Sequence, residues 1–275
     1  MIDLTARTGI SLKFDPKTLN MKLGEGVSFL REWSKSLSTG DLWKSLKLGS
    51  MIKEKDLVSY NAQKDLYRGF QGAFFTDQQE RVSRRNIRPD ITAMFPGTIG
   101  KEFLRTEGHE HLSGFPEIYE TVFGKNGYLL FKTDDNDEER RDIEDIMFVV
   151  AEQGDHVLFP PGYQHITVNL GKTGFLMTDW VSPSAQTDFK YIKEHNGAPC
   201  WVVKDGDGFG FEKNPSYSRG VPAVRVVKPA EVVPELGIKK GQPMFCLDER
   251  TELLLSGMLN DPTSHDFYKQ AFVDI

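Results

Sequence analysis

Residues 154–169 read GDHVLFPPGYQHITVN. Gly154, Pro160, Gly162, His165 and Asn169 stand at the spacing G-x5-P-x-G-x2-H-x3-N, five specified positions in sixteen residues. Pro160 and Gly162 suit a tight turn between two extended pieces, HVLF before it and QHITVN after it, so the turn delivers His165 near the start of the second strand. Alternate strand residues share a face, which groups His165 with Thr167 and Asn169 and sets Ile166, Val168 and Leu170 on the other side. One face is polar, the other apolar. The apolar face needs cover, from the terminal zones or from another subunit.

Upstream, residues 106–120 read TEGHEHLSGFPEIYE. His109 and His111 are two apart, so on a strand both imidazoles reach one point while Glu110 turns away. Gly114 and Pro116 suit a connection that folds back, and Glu117 opens the returning strand. With His165 these residues form a set of three imidazoles and one carboxylate. Such a set suits one divalent transition metal per subunit, iron, manganese, nickel or zinc, with coordination positions left for water or substrate. Magnesium and calcium prefer all-oxygen ligands and fit less well. His156, His195 and His265 match no ligand spacing and are expected at the surface or behind the ligands.

The runs 91–95, 102–106, 117–123, 128–133, 146–151, 156–159, 164–170 and 175–181 are β-rich and punctuated by glycine and proline. Strands at this spacing predict a mainly β double-sheet jelly roll over residues 86–205. Residues 1–85 read as an N-terminal extension packing on that barrel. There, Val27, Phe29, Leu30 and Trp33 fall near helical spacing, and Asp41 can cap a second short helix over Leu42, Trp43, Leu46 and Leu48. Residues 206–275 form a C-terminal extension: GDGFGF (206–211) reads as a turn, residues 221–227 as extended, and 252–259 as a helix. The charged run 134–145 is an exposed loop or short helix, and it lacks the central glycine and closing glutamate of a calcium loop.

The chain has 275 residues, 39% hydrophobic and 27% charged, with a net charge of -6. That is the composition of a globular protein, and the acidic excess argues against nucleic acid. The basic cluster 81–88 lacks interleaved aromatics and reads as a solvated face. No apolar run reaches membrane-spanning length. The start, MIDLTARTGISLKFD, has no basic region followed by an apolar stretch, so a cytoplasmic place is expected. Cys200 and Cys246, far apart, read as two buried thiols in a reducing compartment.

The stretches PGTIGKEFLRTEGHEH (96–111), PEIYETVFGKNGYLLF (116–131) and GDHVLFPPGYQHITVN, in that order, resemble the cupin-type glucose-6-phosphate isomerases across about residues 86–195. The resemblance implies a cupin double-stranded β-helix, a cytoplasmic homodimer of glycolysis and gluconeogenesis, and metal-dependent interconversion of glucose 6-phosphate and fructose 6-phosphate. It places the metal on His109, His111, Glu117 and His165. Phosphate contacts fall on Thr92, Thr106 and Gly108, and Tyr119 near the sugar. Glu117 is then a base working through an enediol, or only a ligand beside a hydride shift; Tyr119 orients substrate, donates a proton or is an aromatic wall. Thr106 and Gly108 are out of phase with His109 in simple alternation, so a bulge is required, for which Gly108 is suited. A family tyrosine that follows the second motif has no counterpart among Val181, Ser182 and Phe189, with Tyr191 the candidate replacement. A cupin oxygenase and a non-catalytic sugar-phosphate-binding cupin are the alternatives.

Overall fold

The computed structural model describes residues 1–36, 65–134, 142–217, 220–233, 235–263, 268 and 270–275. Two sheets carry the architecture. The first has six antiparallel strands in the order His156–Phe159, Glu117–Phe123, Phe175–Val181, Arg88–Met94, Asp65–Gln71, Arg31–Ser36. The second has five, in the order Gln164–Asn169, Lys125–Thr133, Ile143–Glu152, Arg225–Pro229, Phe272–Asp274, with one parallel pairing, Ile143–Glu152 to Arg225–Pro229. Their inner faces meet directly. Tyr119 of the first sheet and Tyr128 of the second have ring centroids 5.3 Å apart, and the Tyr128 hydroxyl reaches Met177 Sδ at 3.7 Å. This is the jelly-roll barrel of the cupins.

Three runs, Glu117–Phe123, His156–Phe159 and Phe175–Val181, have the ends their sequence predicts. Their register fixes which side chains face the barrel interior, because a one-residue slip would turn every side chain to the other face. The run 102–106 is shorter than expected: the regular strand ends at Phe103, and the chain crosses to the His165 strand, where Arg105 bridges Val168 and Thr106 N donates to Thr167 O at 2.8 Å. The chain then reaches Gly108, whose φ of +79° is the left-handed value the required bulge needs. At the far end of the His165 strand, Asn169 is buried on the expected polar side but does not line the cavity. Its Nδ2 donates to the Met94 and Thr173 carbonyls, and its Oδ1 accepts from Gly171 N, which ties one sheet to the other.

Residues of both termini cover the outer faces. Leu4, Ile10, Leu12, Phe14 and Leu19 pack on Ile91, Ala93, Val122 and Leu176 of the six-stranded sheet. Further along that face, Leu255, Met258 and Leu259 of the helix Glu249–Leu259 pack on Ile118, Leu158 and Trp180. Asp248 caps this helix, Oδ1 accepting from Thr251 N at 3.0 Å. On the five-stranded sheet, Ile166 and Val168 belong to a core that includes Phe209 and Phe211, whose rings lie 4.9 and 5.3 Å from Phe148. Those two phenylalanines come from GDGFGF, which is a hairpin: Gly206 and Asp207 turn, and Gly208–Lys213 pairs with Cys200–Asp205.

Four sequence expectations are corrected. Val27, Phe29, Leu30 and Trp33 do not lie on a helix: Val27–Ser28 pairs with Phe74–Phe75, and Arg31–Ser36 pairs with the edge of the six-stranded sheet. The available strand edge overrides a weak helical period, and Leu30 stays exposed. The basic cluster is only partly solvated. Arg81 and Arg85 bond Glu252 and Arg85 also reaches Glu249, because the C-terminal helix supplies these carboxylates; Arg88 binds Asp90 on its own strand, and Arg84 remains on the surface with Glu80. Cys246 is exposed while Cys200 is buried, and both are free. His156 is buried opposite Glu120 on the outer face of the sheet, not at the surface. The helix expected after Asp41, residues 135–141 of the acidic run, and His265 lie outside the described residues. Among the described residues no helix is long and apolar enough to cross a membrane.

Candidate metal centre

His109 and His165 are cross-strand neighbours. His165 N donates to His109 O at 2.9 Å and His109 N to His165 O at 3.2 Å. His111 lies two residues on, in the short strand Glu110–His111 that pairs with Thr187–Asp188. The two histidines are therefore not on one continuous strand, yet their Nε2 atoms are 3.2 Å apart. A tight turn with φ of 65° at Ser113 and 70° at Gly114 then returns the chain, and Glu117 pairs with Phe159 just ahead of the Pro160–Gly162 turn. A Cβ at Gly114 would lie 3.4 Å from Gly162 N, so the two turns fit against each other.

The result is one cluster: His109, His111, Glu117 and His165 each offer a ligand atom, and all lie within 4.8 Å of one another. Glu117 Oε2 is 3.4 Å from His165 Nε2 and 3.7 Å from His111 Nε2. Ligand atoms about 2.1 Å from a common centre stand about 3–4.2 Å apart, so the set fits a transition metal with little movement. Two buried atoms in it, Glu117 Oε2 and His165 Nε2, have no hydrogen-bond partner among the described residues. Burying such atoms unpaired is costly, and a cation between them removes the cost.

The electrostatics agree. Burial pushes His111 down to about 4, and burial with His111 nearby holds His165 well below its usual value, so both rings are neutral with lone pairs available. His111 Nδ1 donates to the Phe115 carbonyl at 3.0 Å, which leaves Nε2 for the centre. Burial, with the Asp179 carboxyl beside it, raises Glu117 well above the usual carboxylate range. Burial also raises Asp179, to about 7, and Asp90, to about 6. Arg88 is the guanidinium that faces all three carboxyls.

The cluster opens into a cavity of about 520 Å³, and Thr92, Thr106, Gly108 and Tyr119 all line it. Thr106 Oγ1 accepts from Thr167 N at 2.9 Å, which leaves its O–H to donate. Tyr119 stacks on Phe159, rings 4.3 Å apart, and burial, with the Glu117 carboxyl nearby, holds its hydroxyl well above the usual tyrosine range. Phe189 lines the mouth, 5.7 Å from the His109 ring. Tyr191 instead packs on His195 and Tyr217, outside the lining. Besides Tyr119, the cavity contains Tyr67, whose hydroxyl accepts from Glu107 N at 3.4 Å.

Tyr67, Arg88, Asp90 and Asp179 escaped the sequence reading. Two signals were present: Arg88, Asp90 and Thr92 alternate with apolar residues on one strand, and Asp179 is the one charge in the wholly buried strand FLMTDWV. Tyr67 carried none, since only the sheet pairing of Asp65–Gln71 with Arg88–Met94 brings it in.

Fold and site together define a cupin in which His109, His111, Glu117 and His165 could hold a metal ion. A model of the glucose-6-phosphate isomerase (GPI) family matches residues 50–219, and the chain belongs to that family, in its cupin type. It is 33% identical over 143 residues to a glucose-6-phosphate isomerase of Thermococcus gammatolerans, covering 52% of this chain and 69% of that one. It is 29% identical over 166 residues to the glucose-6-phosphate isomerase of Pyrococcus furiosus, covering 60% and 74%. Among solved structures, an oxalate oxidase in complex with the substrate analogue glycolate is similar at 18% identity and a TM-score of 0.29, over 38% of this chain and 46% of that one.

Proposed function

We propose that the chain interconverts glucose 6-phosphate and fructose 6-phosphate, using a divalent transition metal held by His109, His111, Glu117 and His165. The observation that carries this reading is the meeting of those four ligand atoms in the same cavity as Thr92, Thr106 and Gly108. The bound metal would polarise the oxygens on C1 and C2 of the open-chain sugar. The Thr92 and Thr106 hydroxyls and the Gly108 N–H would hold the phosphate, hydroxyl and backbone donors being sufficient for its oxygens.

Glu117 then takes the hydrogen of C2 as a proton and returns it to C1 while a proton passes from O2 to O1, which turns aldose into ketose. Tyr119, two residues from Glu117 on the same strand face, orients the sugar beside that carboxyl. If hydrogen instead moves directly from C2 to C1 as hydride, Glu117 serves only as ligand. Incubation in D₂O separates the routes: deuterium enters C1 or C2 by the first and stays out by the second.

The reading extends to a cytoplasmic homodimer of glycolysis and gluconeogenesis, with the terminal segments 1–85 and 206–275 as extensions of a barrel over 86–205. The test is conversion of fructose 6-phosphate coupled to oxidation of glucose 6-phosphate, run aerobically and anaerobically. The isomerase continues without oxygen. Activity that stops without oxygen would make this chain a cupin oxygenase, and ligand binding without turnover would make it a sugar-phosphate sensor.

A further inference from the structure

We propose that Arg31, on the edge strand supplied by the N-terminal segment, binds the substrate's phosphate and sets the preference for a phosphorylated over an unphosphorylated sugar. The proposal rests on the reading of the cavity as a sugar-phosphate site, with the phosphate at Thr92, Thr106 and Gly108. Register puts Arg31 there: it stands opposite Gln71, and Gln71 opposite Asp90, so the three share the inner face of the six-stranded sheet. All three line the cavity. Thr92 is two residues beyond Asp90 on the same face. Two strand spacings across and two residues along put the Arg31 and Thr92 Cα atoms about 12 Å apart. In register between Thr92 and the edge strand lies Gly69, which has no side chain to stand in the way. An arginine side chain, a phosphate and a threonine hydroxyl fill such a span.

Charge gives such a residue its use. A sugar phosphate carries about -1.5 to -2 at neutral pH, and the cavity it enters is lined by the carboxyls of Asp90, Glu107, Glu117 and Asp179. Two arginines line it as well, Arg31 and Arg88. Arg88 is already matched: its Nε donates to Asp90 Oδ1 at 3.2 Å and Oδ2 at 3.1 Å. Arg31 has no ion-pair partner among the described residues, and it is exposed, so a ligand entering from solvent reaches it. A guanidinium presents paired N–H donors that match two phosphate oxygens and adds a full positive charge, which hydroxyls and a backbone N–H lack. Arg31 also lies ahead of the stretch shared with the isomerase family. The N-terminal segment thus does more than cover the outer face: by pairing Arg31–Ser36 with Asp65–Gln71 it adds a cation to the wall of the site.

The experiment compares metal-loaded wild type with Arg31→Gln and Arg31→Lys, and with Arg84→Gln, which removes the same charge from the surface pair with Glu80. Calorimetry measures affinity for glucitol 6-phosphate, which has no carbonyl to isomerise, and for glucitol; the coupled assay gives kcat and KM with fructose 6-phosphate. Arg31→Gln is expected to weaken glucitol 6-phosphate binding about tenfold or more and to raise KM by a similar factor, with kcat and glucitol binding little changed. Arg31→Lys, a cation without the paired donors, should fall between the two, and Arg84→Gln should match wild type. Unchanged affinity for glucitol 6-phosphate in Arg31→Gln overturns the proposal. So does an equal loss for glucitol, or an equal effect of Arg84→Gln, since net charge alone would then account for it. Wild type that binds glucitol 6-phosphate but does not isomerise fructose 6-phosphate would defeat the isomerase reading alone, and the binding series would still decide the role of Arg31. Wild type with no preference for glucitol 6-phosphate over glucitol overturns both.

Discussion

Substituting alanine at Gly108 should damage fold and metal centre together. The residue sits at φ +79°, where a side chain costs about 1–2 kcal/mol. A Cβ there would lie 2.3 Å from Ile166 Cγ1, 2.9 Å from its Cδ1 and 3.0 Å from the His165 carbonyl oxygen. Carbon atoms rest at about 3.5–4.0 Å, so Ile166, fully buried, must move by more than an ångström's order into a packed core, at a further cost of about 1–3 kcal/mol. The sum is roughly 2–5 kcal/mol. The displaced carbonyl is the one that accepts from His109 N, so the same push shifts two ligands at once. Urea unfolding of metal-free protein reads the first effect, and calorimetric Mn(II) titration reads the second, expected at about tenfold or more. A Gly108→Ala variant within about 0.5 kcal/mol of wild type, with equal Mn(II) affinity, would refute the bulge as the device that sets the His109–His165 pair.

Three other outcomes are expected. His165→Ala should lower Mn(II) affinity by more than about 100-fold, beyond what loss of an outer partner costs; equal metal content after dialysis would remove His165 from the ligand set. Thr92→Val should raise KM for fructose 6-phosphate about tenfold, the value of a hydrogen bond to a charged group, with kcat less affected; an unchanged KM would place the phosphate elsewhere. Glu120→Gln tests burial on the outer face, where Glu120 Oε2 accepts from Met244 N at 2.9 Å and burial raises its carboxyl to about 8. Between about pH 4.5 and 8 the folded protein keeps a proton that the unfolded chain has released, so wild-type stability falls as pH rises through that window, by at most roughly 5 kcal/mol. The glutamine variant lacks this loss, and its lead in melting temperature should widen from pH 5 to 8; a lead independent of pH would contradict the buried neutral carboxyl.

Much of the barrel could be read directly. Glu117–Phe123, His156–Phe159 and Phe175–Val181 are β-rich runs cut off by glycine, proline or charge, and local chemistry determines such ends. The four clustered residues were also legible, because turn residues at set spacing aim them. What escaped was set by non-local pairing. Nothing near Tyr67 announces the cavity; sheet register alone puts its strand beside Arg88–Met94. The same register places Asp179 against Tyr119 and Asp90, although these positions are 60 and 89 residues apart in sequence. The helix expected at 27–33 failed for a related reason: a short apolar period is compatible with either element, and the strand edge offered by Asp65–Gln71 decided it. Arg81 and Arg85 appeared solvated because their partners, Glu249 and Glu252, lie in the distant C-terminal helix.

The most direct test of the account is isomerase activity followed against metal occupancy as Mn(II) is returned to chelator-stripped protein. The account predicts negligible turnover at zero occupancy and a linear rise that ends at one metal per chain. Full turnover by stripped protein, or activity indifferent to occupancy, would contradict it.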